Sequence, residues 1–162
     1  MRLILLRHAK SEKAEAGQRD HARRLNARGR DDAPMIGAYM ARHGLVPDRA
    51  LVSSAARTRE TWERVAAALA AQPQAIHEER LYNANSEGIL ALVKETESGV
   101  RTLLLVGHNP GLEDLIEHLT GEAYGLATAA LVQLELPIDS WSELDTSVSA
   151  TLVDTWQPKD AN

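Results

Sequence analysis

The sequence predicts an α/β fold in which a mostly parallel central sheet carries an antiparallel edge. Three observations predict it. The apolar runs Leu3-Ile4-Leu5-Leu6 and Thr102-Leu103-Leu104-Leu105-Val106 read as strands buried on both faces. Stretches with apolar residues at helical spacing lie between such runs. The last two strand-like segments, 130–136 and 147–156, alternate apolar with polar residues and predict an antiparallel pair. A chain of 162 residues suits a single domain over 1–162, and no Gly/Ser or Pro run marks a linker.

The elements follow in order. The first strand covers 2–6, and the polar, aperiodic stretch 10–24 reads as a loop over the strand ends. Asn26 caps a helix through Ala33, Ile36, Met40 and Ala41 that ends at Gly44. Pro34 falls inside it, so the helix is expected to start late or to kink. Residues 49–53 form the second strand. A helix over 58–71 follows, with Trp62, Val65, Ala66 and Leu69 on one face. Residues 74–77 make a short strand. Ser86 then caps a helix carrying Ile89, Leu90, Leu92 and Val93, stopped by Gly99. The buried strand at 102–106 runs into Gly107-His108-Asn109-Pro110, where Asn109 is the expected N-cap and Pro110 the first helical residue. That helix ends near Leu119, before Gly121.

Composition excludes several classes. The net charge of -5 argues against non-specific nucleic-acid binding, which needs a basic stripe. There is no cysteine, so disulfides, thiolate metal sites and thiol catalysis are absent. No stretch approaches the ~20 apolar residues of a membrane span, and the N-terminal apolar run is too short for a signal peptide. The expectation is a cytoplasmic protein with no membrane and no nucleic-acid partner. No histidine or carboxylate pair has metal-ligand spacing, so no metal is expected. His21, His43, His77 and His118 read as surface residues, and Trp62 and Trp156 as core.

Three strands end in polar residues: Arg7-His8, Ser53-Ser54-Ala55-Ala56-Arg57, and His108. In a parallel sheet these ends share one edge, where open α/β folds keep their ligands. Two arginines and two histidines around one point suit phosphoryl transfer, which demands positioning and stabilisation of charge on three equatorial oxygens. Arg7 and Arg57 each offer a planar fork of donors. The helix after His108 adds the positive end of its dipole. Neighbouring guanidinium groups hold His8 neutral, as a nucleophilic imidazole requires.

These residues carry a family resemblance. Leu6-Arg7-His8-Ala9-Lys10 resembles the opening signature of the histidine phosphatase superfamily, with alanine in the usual glycine place. Ser53-Ser54-Ala55-Ala56-Arg57 followed by Thr61 is similar to its Ser-Pro-x-x-Arg-x-x-x-Thr segment, with Ser54 where proline is usual. Gly107-His108-Asn109-Pro110 resembles its second-histidine turn. Arg23-Arg24-Leu25-Asn26-Ala27-Arg28-Gly29 is similar to Arg-Pro-Leu-Thr-x-x-Gly and, with the short length, points to the SixA-type phosphohistidine phosphatase branch. The resemblance spans roughly residues 2–119. It implies a three-layer α/β/α fold, phosphoglycerate mutase-like with a minimal cap. It further implies that His8 is the nucleophile and becomes phosphorylated. Arg7, Arg57 and His108 complete the phosphate pocket, with Arg23 as a substrate contact at its mouth. Water then releases inorganic phosphate, without metal or cofactor.

Larger members of the family place a glutamate acid in the segment matching Glu78-Glu79-Arg80-Leu81-Tyr82-Asn83, where this chain has Asn83. An alkoxide leaves with a conjugate acid near ~15.7, whereas imidazole leaves with one near ~6.5. The missing acid therefore favours a phosphoramidate, and the short 10–24 segment favours a phosphohistidine presented on another protein. Glu78 or Glu79 as substitute acid would instead suit a small phosphorylated substrate, making the chain a phosphomonoesterase. The reading from another class is a phosphate-binding regulatory domain without turnover.

Overall fold

The computed structural model describes residues 1–161. Six strands form one sheet: β1 (Arg2–Arg7), β2 (Arg49–Ser53), β3 (Gln74–Glu78), β4 (Thr102–Gly107), β5 (Leu131–Glu135) and β6 (Thr151–Trp156). Their spatial order is β3-β2-β4-β1-β5-β6. β1 to β4 run parallel, while β5 pairs antiparallel with both β1 and β6. The expected antiparallel pair is thus present, and β5 is its reversed strand.

Four helices cover the sheet: α1 (Ala27–Arg42), α2 (Ala56–Ala66), α3 (Ser86–Lys94) and α4 (Gly111–Thr120). The period of two in β1 assigns each residue to a face. Leu3 and Leu5 pack with Ile89, Leu112 and Trp141 in one cluster, and Ile4 and Leu6 pack with Ile36, Trp62 and Val65 in another. β4 splits in the same way. α3 and α4 therefore lie on one face and α1 and α2 on the other, giving the three-layer α/β/α arrangement. No described helix is long and apolar enough to cross a membrane.

Several local expectations change. α1 begins after Asn26, whose side chain accepts from Gly29 N at 2.9 Å, and it continues through Pro34. Pro34 is exposed, so water can take up the Arg30 carbonyl that the ring leaves unpaired. α2 stops at Ala66 rather than Ala71. Its last turn tightens into bonds from Ala68 N to Val65 O and from Leu69 N to Ala66 O, which turn Leu69 into the core. Asn85, not Ser86, caps α3, accepting from Gly88 N at 2.9 Å. α3 ends at Lys94, ahead of Gly99. At α4 the cap position is Pro110, after a cis Asn109–Pro110 peptide bond, and Asn109 turns its side chain elsewhere. Gly121 ends α4 at φ 75°, a left-handed conformation that suits glycine.

Register sets the site. Arg7 stands opposite Gly107 and Val52 opposite Val106, so β1, β2 and β4 finish at nearly one level. His8, Ser53 and His108 leave the sheet together there.

Candidate active site

His8 follows the last residue of β1 and is buried. Its Nδ1 lies 2.8 Å from the Ala9 carbonyl, an acceptor, so Nδ1 carries the proton. Nε2 is left with its lone pair, which accepts from Arg57 Nε at 3.3 Å. Ala9 N in turn donates to Thr61 Oγ1 at 3.0 Å, tying the turn after β1 to α2. That bond accounts for threonine four residues after Arg57.

His108 leaves β4 and is equally buried. Its Nε2 meets Ser53 Oγ at 2.7 Å, and its Nδ1 lies 3.3 Å from Arg57 NH2. The guanidinium can only donate, so Nδ1 holds the lone pair and Nε2 the proton. The two imidazole rings sit 5.3 Å apart, centroid to centroid.

Both histidines are held neutral. Burial lowers His8 from 6.5 to about 4, with the charges of Arg57, Arg7 and Arg23 adding to it and the Ala9 carbonyl opposing. Burial lowers His108 to about 3, with His8 and Arg57 adding and Asp20 opposing.

Arg57 is the centre of the site. It enters on the first turn of α2 and is almost wholly buried. Besides the two imidazole nitrogens, NH1 donates to Asp20 O at 2.8 Å and NH2 to Asp20 Oδ2 at 3.0 Å. Arg7 arrives from the other side. Its NH1 donates to Leu126 O at 2.9 Å, and its buried Nε has no partner among the described residues. Asn109 Nδ2 donates to the same carbonyl at 2.9 Å, and Leu126 N donates to Glu113 Oε1 at 2.7 Å. Asn109 thus braces the loop that holds Arg7 instead of capping α4. Burial lowers the Arg7 value, with Glu113 opposing.

Arg7, His8, Arg57 and His108 line one cavity of about 820 Å³, and Arg23 and Asn83 line it too. All five residues expected at the site therefore meet there. Arg23 does so with its fork engaged, by Asp20 Oδ1 and by the Glu12 carbonyl. Asn83 has φ 57°, a left-handed conformation that asparagine tolerates. Glu78 and Glu79 are not on this cavity. Glu78 accepts from Arg80 N and from its guanidinium, beside the outer edge of the sheet. The carboxylates that do line the cavity are Glu12 and Glu15, from the 10–24 segment.

Two site residues escape a reading of the sequence. Asp20 begins a short 3-10 turn, Asp20–Ala22, and binds Arg57, Arg23 and the Tyr82 hydroxyl. Tyr82 stands edge-on to His108 at 5.6 Å and below the Arg57 guanidinium at 6.0 Å. His21, from the same turn, lies against Tyr82 and bonds Ser54 Oγ at 2.9 Å. Only the position of Tyr82, one residue before Asn83, gave a signal.

Comparison with known proteins identifies the family. Residues 3–89 match the family model of the histidine phosphatase superfamily, branch 1. The chain belongs to the histidine phosphatase superfamily. An uncharacterized chloroplastic protein of Arabidopsis thaliana is 32% identical over 155 residues, covering 88% of this chain and 69% of its own. A SixA-type protein from Agrobacterium tumefaciens superposes with a TM-score of 0.82 at 33% identity, covering 97% of this chain and 98% of that one. The structure of the protein histidine phosphatase SixA complexed with tungstate gives a TM-score of 0.84 at 23% identity, covering 100% of both chains. This superfamily member is of the SixA type, a phosphatase with a phosphorylated substrate and phosphate as product.

Proposed function

We propose that this protein is a metal-independent phosphatase working through a phosphoryl group carried on His8, with protein-borne phosphohistidine as its substrate. The observation that carries the proposal is the His8 Nε2 lone pair, fixed by the Nδ1–Ala9 bond inside a cavity walled by Arg7, Arg57 and His108.

The chemistry runs in two displacements. Nε2 of His8 attacks phosphorus, forming a P–N bond as the bond to the substrate's ring nitrogen breaks. The electron pair leaves on that nitrogen. A substrate imidazole protonated at its other nitrogen departs neutral and needs no further proton. Nucleophile and leaving group are then the same chemical group, so the transfer is close to balanced and asks for no acid. Water next attacks phosphorus, the P–Nε2 pair returns to His8, and dihydrogen phosphate departs. Arg7 and Arg57 supply positive charge to the equatorial oxygens, the role a divalent cation plays elsewhere.

Asn83 on the cavity wall, with Glu78 and Glu79 off it, supports a leaving group that needs no acid. SixA, the protein histidine phosphatase solved with tungstate, shares the fold. One observation favours a second reading: Glu12 and Glu15 line the same cavity and could protonate an alkoxide, which would make small phosphomonoesters the substrates. Turnover of a phosphohistidine-bearing protein against p-nitrophenyl phosphate decides between them. Preference for the phosphoramidate is expected, and rapid turnover of the ester alone would reverse the assignment. Tight phosphate binding with no turnover of either would point to a regulatory domain.

A further inference from the structure

A guanidinium has two edges on which it can present paired donors: Nε with one terminal nitrogen, or the two terminal nitrogens. In Arg57 these edges are used for different things. The Nε/NH2 edge faces the imidazoles, reaching His8 Nε2 and His108 Nδ1. Both contacts measure 3.3 Å, long for a hydrogen bond and replaceable by phosphoryl oxygens. The NH1/NH2 edge is gripped by Asp20 through its backbone carbonyl and Oδ2, at 2.8 and 3.0 Å.

From this division we infer that Asp20 is a positioning residue, which holds the outer edge of Arg57 so that the Nε/NH2 edge is presented to phosphorus. Its carboxylate is saturated in doing so. Oδ2 accepts from Arg57 and from the Tyr82 hydroxyl, and Oδ1 accepts from Arg23. Asp20 is half exposed, so geometry rather than raw attraction is its contribution. The three donors also keep it ionised, with the Tyr82 bond foremost, so it does not serve as a proton donor. One carboxylate thereby sets Arg57, Arg23 and the Tyr82 hydroxyl together.

The inference rests on the phosphatase reading for its consequence but not for its first readout. The Arg57 Nε–H resonance of the wild-type protein should be protected from exchange with water, and Asp20→Asn should speed that exchange at least tenfold. The same variant should bind inorganic phosphate about tenfold more weakly, and kcat should fall more than KM rises, since misplacement of a reacting group is felt in the transition state. Tyr82→Phe, which keeps the ring and removes one bond to Asp20, should show a smaller effect of the same sign. An Asp20→Asn protein with unchanged Arg57 exchange and unchanged phosphate affinity overturns the inference, even if it unfolds more easily. One that binds phosphate more tightly also overturns it, and makes Asp20 a competitor for the site. A shifted Arg57 signal in a protein that turns over no phosphorylated substrate leaves Asp20 in this role and refutes the phosphatase reading instead.

Discussion

Acidification from about pH 7 to about pH 5 is predicted to cost this fold roughly 4 kcal/mol of stability, carried by His8 and His108. In the unfolded chain each imidazole takes up a proton below its ordinary value of 6.5, while in the folded protein His8 stays neutral to about 4 and His108 to about 3. The unfolded state therefore binds more protons in this window, and stability falls as the pH is lowered. By about pH 5 each unfolded imidazole is almost fully charged and each folded one almost wholly neutral, a loss of about 2 kcal/mol per histidine. That figure changes little with how far below this pH the folded values lie. Asp20, Glu60 and Glu78, whose carboxylates are held below their ordinary values, act in the same direction but mainly at lower pH. Urea unfolding at the two pH values measures the loss. Against a typical ~5–15 kcal/mol of total stability it is large. His8→Asn and His108→Asn should each remove about half of it. Equal wild-type stability at both pH values, or a His8→Asn protein that keeps the full loss, would refute the account of two buried neutral imidazoles.

Other outcomes follow from single contacts. Arg57→Lys keeps the charge but loses the fork that spans the two imidazoles, and should lower kcat by roughly a hundredfold or more. Steady-state kinetics with a phosphohistidine donor checks it. Gly29→Ala would place a Cβ 2.1 Å from the Lys10 carbonyl oxygen, which belongs to the backbone. It should destabilise the fold by roughly 1–3 kcal/mol in urea unfolding and raise KM by displacing a cavity wall. Glu78→Gln and Glu79→Gln should leave turnover at the wild-type level, because neither side chain lines the cavity.

Much of this site was legible because a buried parallel strand advertises itself twice, in its apolar run and in the polar residues at its exit. Arg7-His8, Arg57 and His108 each follow such a run, and topology brings their ends together. Gly29 belongs to a recognisable motif whose reason appears only in three dimensions, where the Lys10 backbone crosses α1 too closely for a side chain. Asp20 was illegible, and Tyr82 legible only through its neighbour Asn83, for a different cause. They reach the site from 3-10 turns or beside them, in segments without periodicity, so nothing in their spacing points inward. Cap residues fared unevenly on similar grounds. Asn26 has its capping bond, yet Asn85 outcompeted Ser86 by one position, and Asn109 turns its amide Nδ2 to the Leu126 carbonyl while its Oδ1 accepts nothing from the first turn of α4. Glu78 read as a spare acid until Arg80, two residues on, claimed its carboxylate.

In the proposed mechanism His8 receives the phosphoryl group. Rapid quenching of the protein with a phosphohistidine donor, followed by peptide mass spectrometry under neutral conditions, tests it directly. An acid-labile phosphoryl group is expected on the peptide carrying His8, absent in His8→Asn and longer-lived when the water step is slowed. Label on any other residue, or label that persists in His8→Asn, would contradict it.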